Sequence, residues 1–258
     1  MKIISCSVPE DEMFVVPIGD IHCGDKGFTK ESIKKLKEQI EWVKATPNAR
    51  IFLNGDLLNV STRISKTSPY DQNMDLAEQK EQIVSLFENV KEQILGAISG
   101  NHEQRLEDFC GDNPLREVCY RLDVPYCGYT AIIDFRVGWR KDLKKNLIQY
   151  TGLFHHTTGG GATVGARMNR VEKLRLICRN ADLFCGAHNH MLGAIPLIAP
   201  EFNPYTKKMT SRVQLLVDCG GYLEWDNSYA ESKALEPLKI GSPIIRLDGT
   251  KKDMYINL

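Results

Sequence analysis

The residues of this chain best suited to chemistry are its six histidines, which occur in four short clusters. Each cluster follows an apolar, strand-like segment, and a fifth cluster of the same kind contributes a carboxylate. The clusters are Gly19-Asp20-Ile21-His22, Asn54-Gly55-Asp56, Gly100-Asn101-His102-Glu103, His155-His156 and Gly186-Ala187-His188-Asn189-His190. Imidazole, carboxylate and amide groups are ligands of first-row divalent metals, so the clusters predict metal binding.

The spacing within the clusters fits ligands presented where a strand ends. Asp20 and His22 are two residues apart, and so are His188 and His190. The Asp56 carboxylate could bridge two cations, and the amide oxygen of Asn101 also suits a divalent ion. Mixed nitrogen and oxygen ligands without thiolate indicate Mn, Fe, Zn or Ni, with Mn favoured. Two such cations about 3.5–4 Å apart can clamp the oxygens of an in-line displacement at phosphorus, which predicts phosphoester hydrolysis.

Each of these residues alone would have an ordinary structural explanation. A single histidine is more often a core or surface residue than a ligand, and an isolated aspartate is usually a capping or turn residue. The joint occurrence of the clusters favours a metal site. For the other charged residues the ordinary explanation is preferred. We expect a hairpin loop from Arg140 to Lys145 and a solvated helix face formed by Arg167, Arg170, Lys173 and Arg179.

The composition sets limits on partners and location. Lys plus Arg and Asp plus Glu number 33 each, so the net charge is zero and no overall field attracts nucleic acid or anionic membranes. We expect no signal peptide, and no apolar run approaches the roughly 18 residues of a membrane span. The eight cysteines form no CxxC pair, which favours reduced thiols and a cytoplasmic protein. One domain over residues 1–258, without a separate capping domain, is expected.

Hydrophobic periodicity places the clusters on secondary-structure elements. In the first half, strands at 14–18, 51–53 and 97–98 alternate with two helices, one capped by Thr29 and one starting near Asp75 with Glu78 in a capping box. The second half predicts strands around 129–137, 146–154, 183–185, 213–219 and 243–247, and one helix over 164–178. This order predicts an α/β (α+β) fold of two packed sheets flanked by helices, with ligands at the carboxyl ends of strands.

Together the motifs resemble those of the calcineurin-like metallophosphoesterases. They occur in that family's order between residues 19 and 190: Asp20-x-His22, Gly55-Asp56, Gly100-Asn101-His102-Glu103, a histidine after an apolar strand, and His188-x-His190. The resemblance implies a four-layer αββα sandwich with a binuclear metal centre, where a metal-bridging hydroxide attacks phosphorus. It implies that His102 is the general acid, oriented by Glu103 or Asp20. It also implies two ligand sets: Asp20, His22, Asp56 and His190 for one metal, and Asp56, Asn101, His188 and the fourth-motif histidine for the other.

The sequence departs from the family pattern at one place and is ambiguous at another. Ala187 stands directly before His188, where the family usually has glycine. In the fourth motif two histidines compete for the ligand position. His155, the first residue past Phe154, is preferred as the ligand, and His156 could instead face phosphate.

Candidate substrate contacts, besides His156, are Arg63, Arg105 and Gly160. Gly160 belongs to a glycine-rich loop whose backbone could approach a phosphate. The favoured substrate class is a phosphodiester, in nucleic acid or a nucleotide, and a basic helix after that loop supports a nuclease. A phosphomonoesterase or protein phosphatase is the alternative, although Asn59 stands where the protein-phosphatase branch carries an acidic residue. A non-catalytic scaffold is the third possibility, and the complete ligand set argues against it. No membrane partner is expected, and the oligomeric state is not predicted.

Overall fold

Two mixed β-sheets pack face to face, and helices cover the outer side of each sheet. The computed structural model describes residues 1–62, 65, 72–138, 147–161, 163–226, 231 and 236–258. Within these residues the strands are β1 (Lys2–Val8), β2 (Glu12–Ile18), β3 (Ala49–Leu53), β4 (Ile94–Ala97), β5 (Thr130–Val137), β6 (Ile148–His155), β7 (Leu183–Gly186), β8 (Leu192–Asn203), β9 (Lys208–Cys219), β10 (Ile244–Asp248) and β11 (Met254–Asn257). One sheet has the order β1-β5-β6-β7-β9-β8, and the other has the order β11-β10-β2-β3-β4.

Most helices of the described residues begin at polar caps that the sequence provides. They are α1 (Lys30–Lys44), α2 (Leu76–Phe87), α3 (Asn101–Cys110), α4 (Pro114–Leu122) and α5 (Val164–Lys173). The Thr29 side chain accepts hydrogen bonds from backbone N–H groups in the first turn of α1. Asp75 and Glu78 form the predicted capping box of α2. Short 3-10 segments, Glu88–Gln93 and Leu174–Leu176, follow α2 and α5.

The strands bury both of their faces, because successive side chains of a strand point to opposite sides of a sheet. In β2, Val15 lies in the core between the two sheets, whereas Val16 packs with residues of α1, α2 and α4. In β7, Leu183 lies between the sheets, whereas Phe184 packs with residues of α5. The layers are therefore helix, sheet, sheet and helix. The predicted α/β sandwich is confirmed.

The strands that lead into the motifs are confirmed, but the sequence pattern does not predict β1, β8, β11, α3 or α4. Strand β8 contains Pro196 and Pro200 and lies at the edge of its sheet, the position at which a strand tolerates proline. The helix α4 starts at a cap that the sequence does carry, since Asn113 accepts a hydrogen bond from Leu115 N–H and Pro114 occupies the first turn.

Two further findings concern the predictions from composition. All eight cysteines are free thiols. In the part of the chain that the structure describes, no helix is long and apolar enough to cross a membrane. Arg63 and the predicted hairpin loop from Arg140 to Lys145 lie outside the described residues.

Candidate metal centre

The sequence clusters meet where strands of both sheets end. The strand pairs β2–β3, β3–β4 and β6–β7 are parallel, so their carboxyl ends point the same way within each sheet. Backbone hydrogen bonds join the clusters: Asp20 N–H donates to Gly55 O over 3.0 Å, and His22 N–H donates to Asp56 O over 2.9 Å. His188 N–H donates to Asp20 Oδ2 over 2.7 Å. This last bond connects the loop after β7 in one sheet to the loop after β2 in the other.

One group of possible metal ligands consists of Asp20, His22 and His190. His22 Nε2 and His190 Nε2 each lie 3.6 Å from Asp20 Oδ1. The two imidazole nitrogens lie 3.2 Å from each other. Three ligand atoms at these separations surround a common point, which is the arrangement that a small cation requires.

A second group consists of Asp56, His156 and His188. His156 Nε2 lies 3.1 Å from Asp56 Oδ2. The same carboxylate also borders the first group, because Asp56 Oδ2 lies 3.8 Å from His22 Nε2. Asp56 therefore stands between the two groups, where a single carboxylate can contact two cations.

Several buried polar atoms at this place have no hydrogen-bond partner among the described residues, namely Asp20 Oδ1, His156 Nε2 and Asn101 Oδ1. Leaving such atoms unpaired costs free energy, so they imply a ligand. His156 Nε2 and Asp56 Oδ2 are close but not aligned as a hydrogen bond. This is expected when both atoms face a third atom. The nitrogen and oxygen donors therefore fit divalent cations.

The protonation of the histidines also suits metal binding. Burial lowers the pKa of His22 and His190 to about 4 and that of His102 to about 3, so these rings are neutral at neutral pH. Burial alone would raise the pKa of Asp56, but the charge of His156 holds it well below its usual range. Burial alone would lower the pKa of His156, but the charge of Asp56 raises it to about 10. A cation bound between these two residues would displace that proton.

The backbone at the candidate ligands adopts a conformation that non-glycine residues rarely use. The φ angles are 50° at Asp20, 49° at His22, 50° at Asp56, 79° at His188 and 55° at His190. Left-handed backbone at such residues costs on the order of 1–3 kcal/mol each and is concentrated at functional sites. The surrounding fold imposes this strain, because the loop hydrogen bonds between the clusters fix the backbone.

The structure reverses the preference for His155 over His156 as a ligand. His156 is buried, its Nδ1 lies 2.8 Å from Asn54 O, and its Nε2 faces the carboxylates. His155 is the last residue of β6 and pairs with Gly186 of β7. Its Nδ1 accepts a hydrogen bond from Thr157 N–H over 2.7 Å. Since alternate side chains of a strand point to opposite faces, only the second histidine reaches the site.

Glu103 does not orient His102, which corrects the role that the resemblance implied for it. The buried Glu103 carboxylate accepts four backbone hydrogen bonds, from Asp56 N–H, Leu57 N–H, Leu58 N–H and Gly100 N–H at 2.7–3.1 Å. It therefore clamps the loop that carries Asp56 to the start of α3. The close fit also requires glycine at position 100, because a Cβ atom there would lie 2.1 Å from Asp56 Oδ1.

The His102 ring lies beside the two ligand groups and is held on both of its nitrogens. His102 Nδ1 lies 2.5 Å from Asn59 O, and because a carbonyl only accepts, this nitrogen carries the hydrogen. Arg105 donates to His102 Nε2 over 2.9 Å. The same Nε2 atom lies 3.8 Å from Asp56 Oδ2. The structure therefore brings the predicted substrate contact Arg105 to the site.

The glycine-rich loop touches the site through Gly159 rather than Gly160. The Gly159 carbonyl lies 2.9 Å from His188 Nε2 and also accepts a hydrogen bond from Arg170. Gly160 is exposed, and a Cβ atom there would have no atom within 4 Å in the described structure. The prediction that Gly160 contacts substrate is therefore not supported by its position.

The predicted solvated face of α5 is wrong for two of its arginines. Arg167 is buried, and its Nε donates to Gly161 O over 3.2 Å. Arg170 donates to Asn189 Oδ1 over 3.2 Å. Asn189 in turn donates to the buried Asp218 over 2.8 Å. These contacts fix the loop between His188 and His190, and the sequence gives no local signal for them.

Solved structures that are similar to this chain share little sequence identity with it. No protein-family model and no curated protein matches the sequence. One similar solved structure is a conserved uncharacterized protein from Streptococcus pneumoniae TIGR4, described as a predicted phosphoesterase. It has 11% identity and a TM-score of 0.37, and the match covers 91% of this chain and 82% of that chain. Another is the NAD nucleotidase of Haemophilus influenzae, with 11% identity and a TM-score of 0.42 over 96% of this chain and 49% of that chain.

Proposed function

We propose that this protein is a metal-dependent phosphoesterase. The observation that carries the proposal is the convergence of two groups of nitrogen and oxygen ligands on either side of the Asp56 carboxylate. Two divalent cations, with manganese favoured, would be held by these residues. The first ligand set is Asp20, His22, Asp56 and His190, and the second is Asp56, Asn101, His156 and His188.

Bound divalent cations would act as a Lewis acid and would lower the pKa of a bound water. The protein's own side chains would contact the phosphate and donate a proton to the leaving alcohol. In the substrate-free protein Arg105 donates to His102 Nε2. A phosphoester bound beside Arg105 would accept that hydrogen bond instead. Its negative charge would also favour the protonated form of His102. His102 Nε2 would then hold a proton for the departing alcohol, while Nδ1 stays bound to Asn59 O.

The favoured substrate class is a phosphodiester, in a nucleotide or a nucleic acid. The support comes from arginines near the ligand groups and not from the overall charge of the protein, because the net charge is zero. Arg105 and Arg170 border the two ligand groups from opposite elements, α3 and α5. Two cationic side chains could contact the phosphate and the next group along a diester substrate. A phosphomonoester that needs only one of them is the alternative, and a cytoplasmic location is part of the proposal.

The test is metal content together with hydrolysis of two model substrates. Purified protein reconstituted with Mn²⁺ should bind two ions per chain by mass spectrometry of metals. It should hydrolyse bis(p-nitrophenyl) phosphate faster than p-nitrophenyl phosphate, and removal of the metal by a chelator should abolish both activities. Faster monoester cleavage would select the alternative class. Bound metal without either activity would indicate a non-catalytic scaffold.

A further inference from the structure

We propose that Gln79, a residue outside every sequence motif, is a positioning residue that holds the His102 ring toward the reacting phosphoester through the backbone of Asn59. The inference rests on the proposed function, because it assigns a support to the proton donor of that reaction. Gln79 lies in α2, and its side chain is 1% exposed. Its position 20 residues after Asn59 gives no hint of this connection in the sequence.

The first link is between His102 and Asn59. His102 Nδ1 donates to the backbone carbonyl of Asn59 over 2.5 Å. A hydrogen bond at one ring nitrogen fixes the orientation of the other, so Nε2 is directed toward Asp56 Oδ2 and the ligand groups. The backbone of Asn59, rather than its side chain, makes this contact. Whatever holds that peptide in place therefore sets the direction of the ring.

The second link is between Gln79 and the peptide groups at 59 and 60. Gln79 Oε1 accepts hydrogen bonds from Asn59 N–H over 3.1 Å and from Val60 N–H over 3.3 Å. Cys23 O accepts from the same Asn59 N–H over 3.0 Å. Val60 has a φ of 44°, which is unfavourable for a β-branched residue. The strained turn needs an external support, and Gln79 provides it at the turn itself.

The third link fixes Gln79 itself. Its Nε2 donates to Gln72 Oε1 over 2.9 Å and to Met74 O over 3.1 Å. The amide is therefore used at both ends and cannot rotate without losing hydrogen bonds. Gly24 packs directly on this side chain, since a Cβ atom at Gly24 would lie 2.5 Å from Gln79 Nε2. These contacts fix the Gln79 side chain relative to α2. The peptide at Asn59, and the His102 ring bonded to it, therefore keep a fixed position relative to α2.

The main variant is Gln79→Leu, which keeps the approximate volume and removes the acceptor. The measurement is kcat for aryl phosphate esters of the better-cleaved class, with 4-nitrophenol or phenol as the leaving group. Phenol needs a proton donor more than 4-nitrophenol does. We expect kcat for the phenyl ester to fall roughly tenfold, a fraction of the effect of a complete general acid, and kcat for the nitrophenyl ester to fall less than about twofold.

A double-mutant cycle with His102→Ala separates positioning from a structural effect. If Gln79 acts through His102, the Gln79→Leu change has no further effect on the phenyl ester in the His102→Ala background. Gln79→Glu keeps an acceptor oxygen for the two N–H groups but loses the two donated hydrogen bonds that fix the side chain, so it should change the ratio of the two esters less than Gln79→Leu does. If Gln79→Leu does not fold, Gln79→Ala gives the same comparison, because the space left by the shorter side chain can hold a water that bonds the freed N–H groups.

Gln93→Leu is the matched control. The Gln93 amide donates to three backbone carbonyls, Val43 O, Thr46 O and Ala49 O at 2.8–3.2 Å, at the amino end of β3, whereas the ligand groups follow the carboxyl ends of the strands. Its loss should lower the melting temperature comparably and leave the ratio of the two esters unchanged. This control shows what the removal of a glutamine bound to backbone does when no catalytic side chain depends on it.

The possible results separate the inference from the proposed function. The positioning role is overturned if Gln79→Leu lowers kcat equally for both esters. It is also overturned if Gln79→Leu lowers kcat for the phenyl ester by the same factor in the wild-type and His102→Ala backgrounds. A changed ratio in His102→Ala with an unchanged ratio in Gln79→Leu overturns the inference and leaves the proposed function intact. If the wild-type protein shows no metal-dependent hydrolysis, or His102→Ala leaves the ratio unchanged, the proposed function fails and the inference fails with it.

Discussion

The site divides into two regions that differ in burial and in what holds them. We call the buried part the floor; its side chains are at most 4% exposed, and it consists of Asp20, His22, Asp56 and His156. We call the more accessible part the rim, which consists of His102, Arg105, His188 and His190. Backbone hydrogen bonds between strand ends hold the floor, whereas contacts with side chains and with the glycine-rich loop hold most of the rim.

The difference between floor and rim indicates that the two regions have different roles. The floor concentrates two carboxylates and two imidazoles in a place that water reaches poorly, so its charges need a cation. The rim carries the groups that a substrate can reach, including a guanidinium and the candidate proton donor. We therefore expect floor substitutions to remove metal, and rim substitutions outside the ligand histidines to leave metal in place and change catalysis.

The largest effect is expected for Asp56→Asn. The asparagine keeps an oxygen that can accept the hydrogen bond from the backbone N–H of His102, but the carboxylate between the two ligand groups is lost. Both cations should be lost or weakened, and kcat/KM should fall by about three orders of magnitude or more, because loss of a bound metal removes several kcal/mol of transition-state stabilisation. Metal analysis and hydrolysis of the preferred model ester would measure this.

Asp218→Asn is the control for Asp56→Asn. Asp218 is also a buried carboxyl group, and burial raises its pKa well above the usual range, so asparagine resembles its protonated form. It contacts Asn189 and belongs to neither ligand group. We expect this variant to keep two metals. Equal metal loss in both variants would contradict the placement of Asp56 between two cations.

The sequence predicts the side chains of the floor and the rim more completely than the residues that hold them in place, for a physical reason. Floor residues follow buried strands directly, so apolar runs that end in Asp or His reveal them. Glu103 had a readable signal as well, since it stands three residues after the N-cap Gly100. The choice between His155 and His156 depends on where β6 ends, and element ends are poorly specified by local pattern. Gln79 and Arg170 act only through tertiary contacts, which no local pattern encodes.

The second largest effect is expected for His156→Ala compared with His155→Ala. Removing the buried His156 deletes a ligand of the second group, so one metal should be lost and kcat should fall on the order of 100-fold. Removing His155 costs one hydrogen bond to Thr157 N–H and should change kcat by less than about threefold. The measurement is the number of metal ions bound per chain in each of the two variants. A lost metal in His155→Ala would restore the assignment favoured by the sequence.

A smaller effect is expected for Arg105→Leu in the rim. Arg105 donates to His102 Nε2 in the free protein and is proposed to contact the phosphate in the complex. Its removal should raise KM roughly tenfold, the value of one charge-assisted hydrogen bond, without reducing bound metal. Arg116→Leu is the control, because Arg116 forms an exposed ion pair with Glu107, a residue of the helix α3 that also carries Arg105. Loss of metal in Arg105→Leu would place this residue with the floor instead.

The smallest effects are expected in the glycine-rich loop, where two neighbouring glycines differ in conformation. Gly159 has a φ of 94°, and its carbonyl contacts His188, so Gly159→Ala strains the backbone beside a rim ligand. We expect a reduction in kcat/KM of roughly threefold to tenfold, equivalent to about 1 kcal/mol. In Gly160→Val the new side chain would begin in open space, so kcat/KM should change less than twofold. If Gly160→Val raised KM strongly and Gly159→Ala did not, the loop would contact the substrate through Gly160, and the rim would extend beyond the side chains that border the metals.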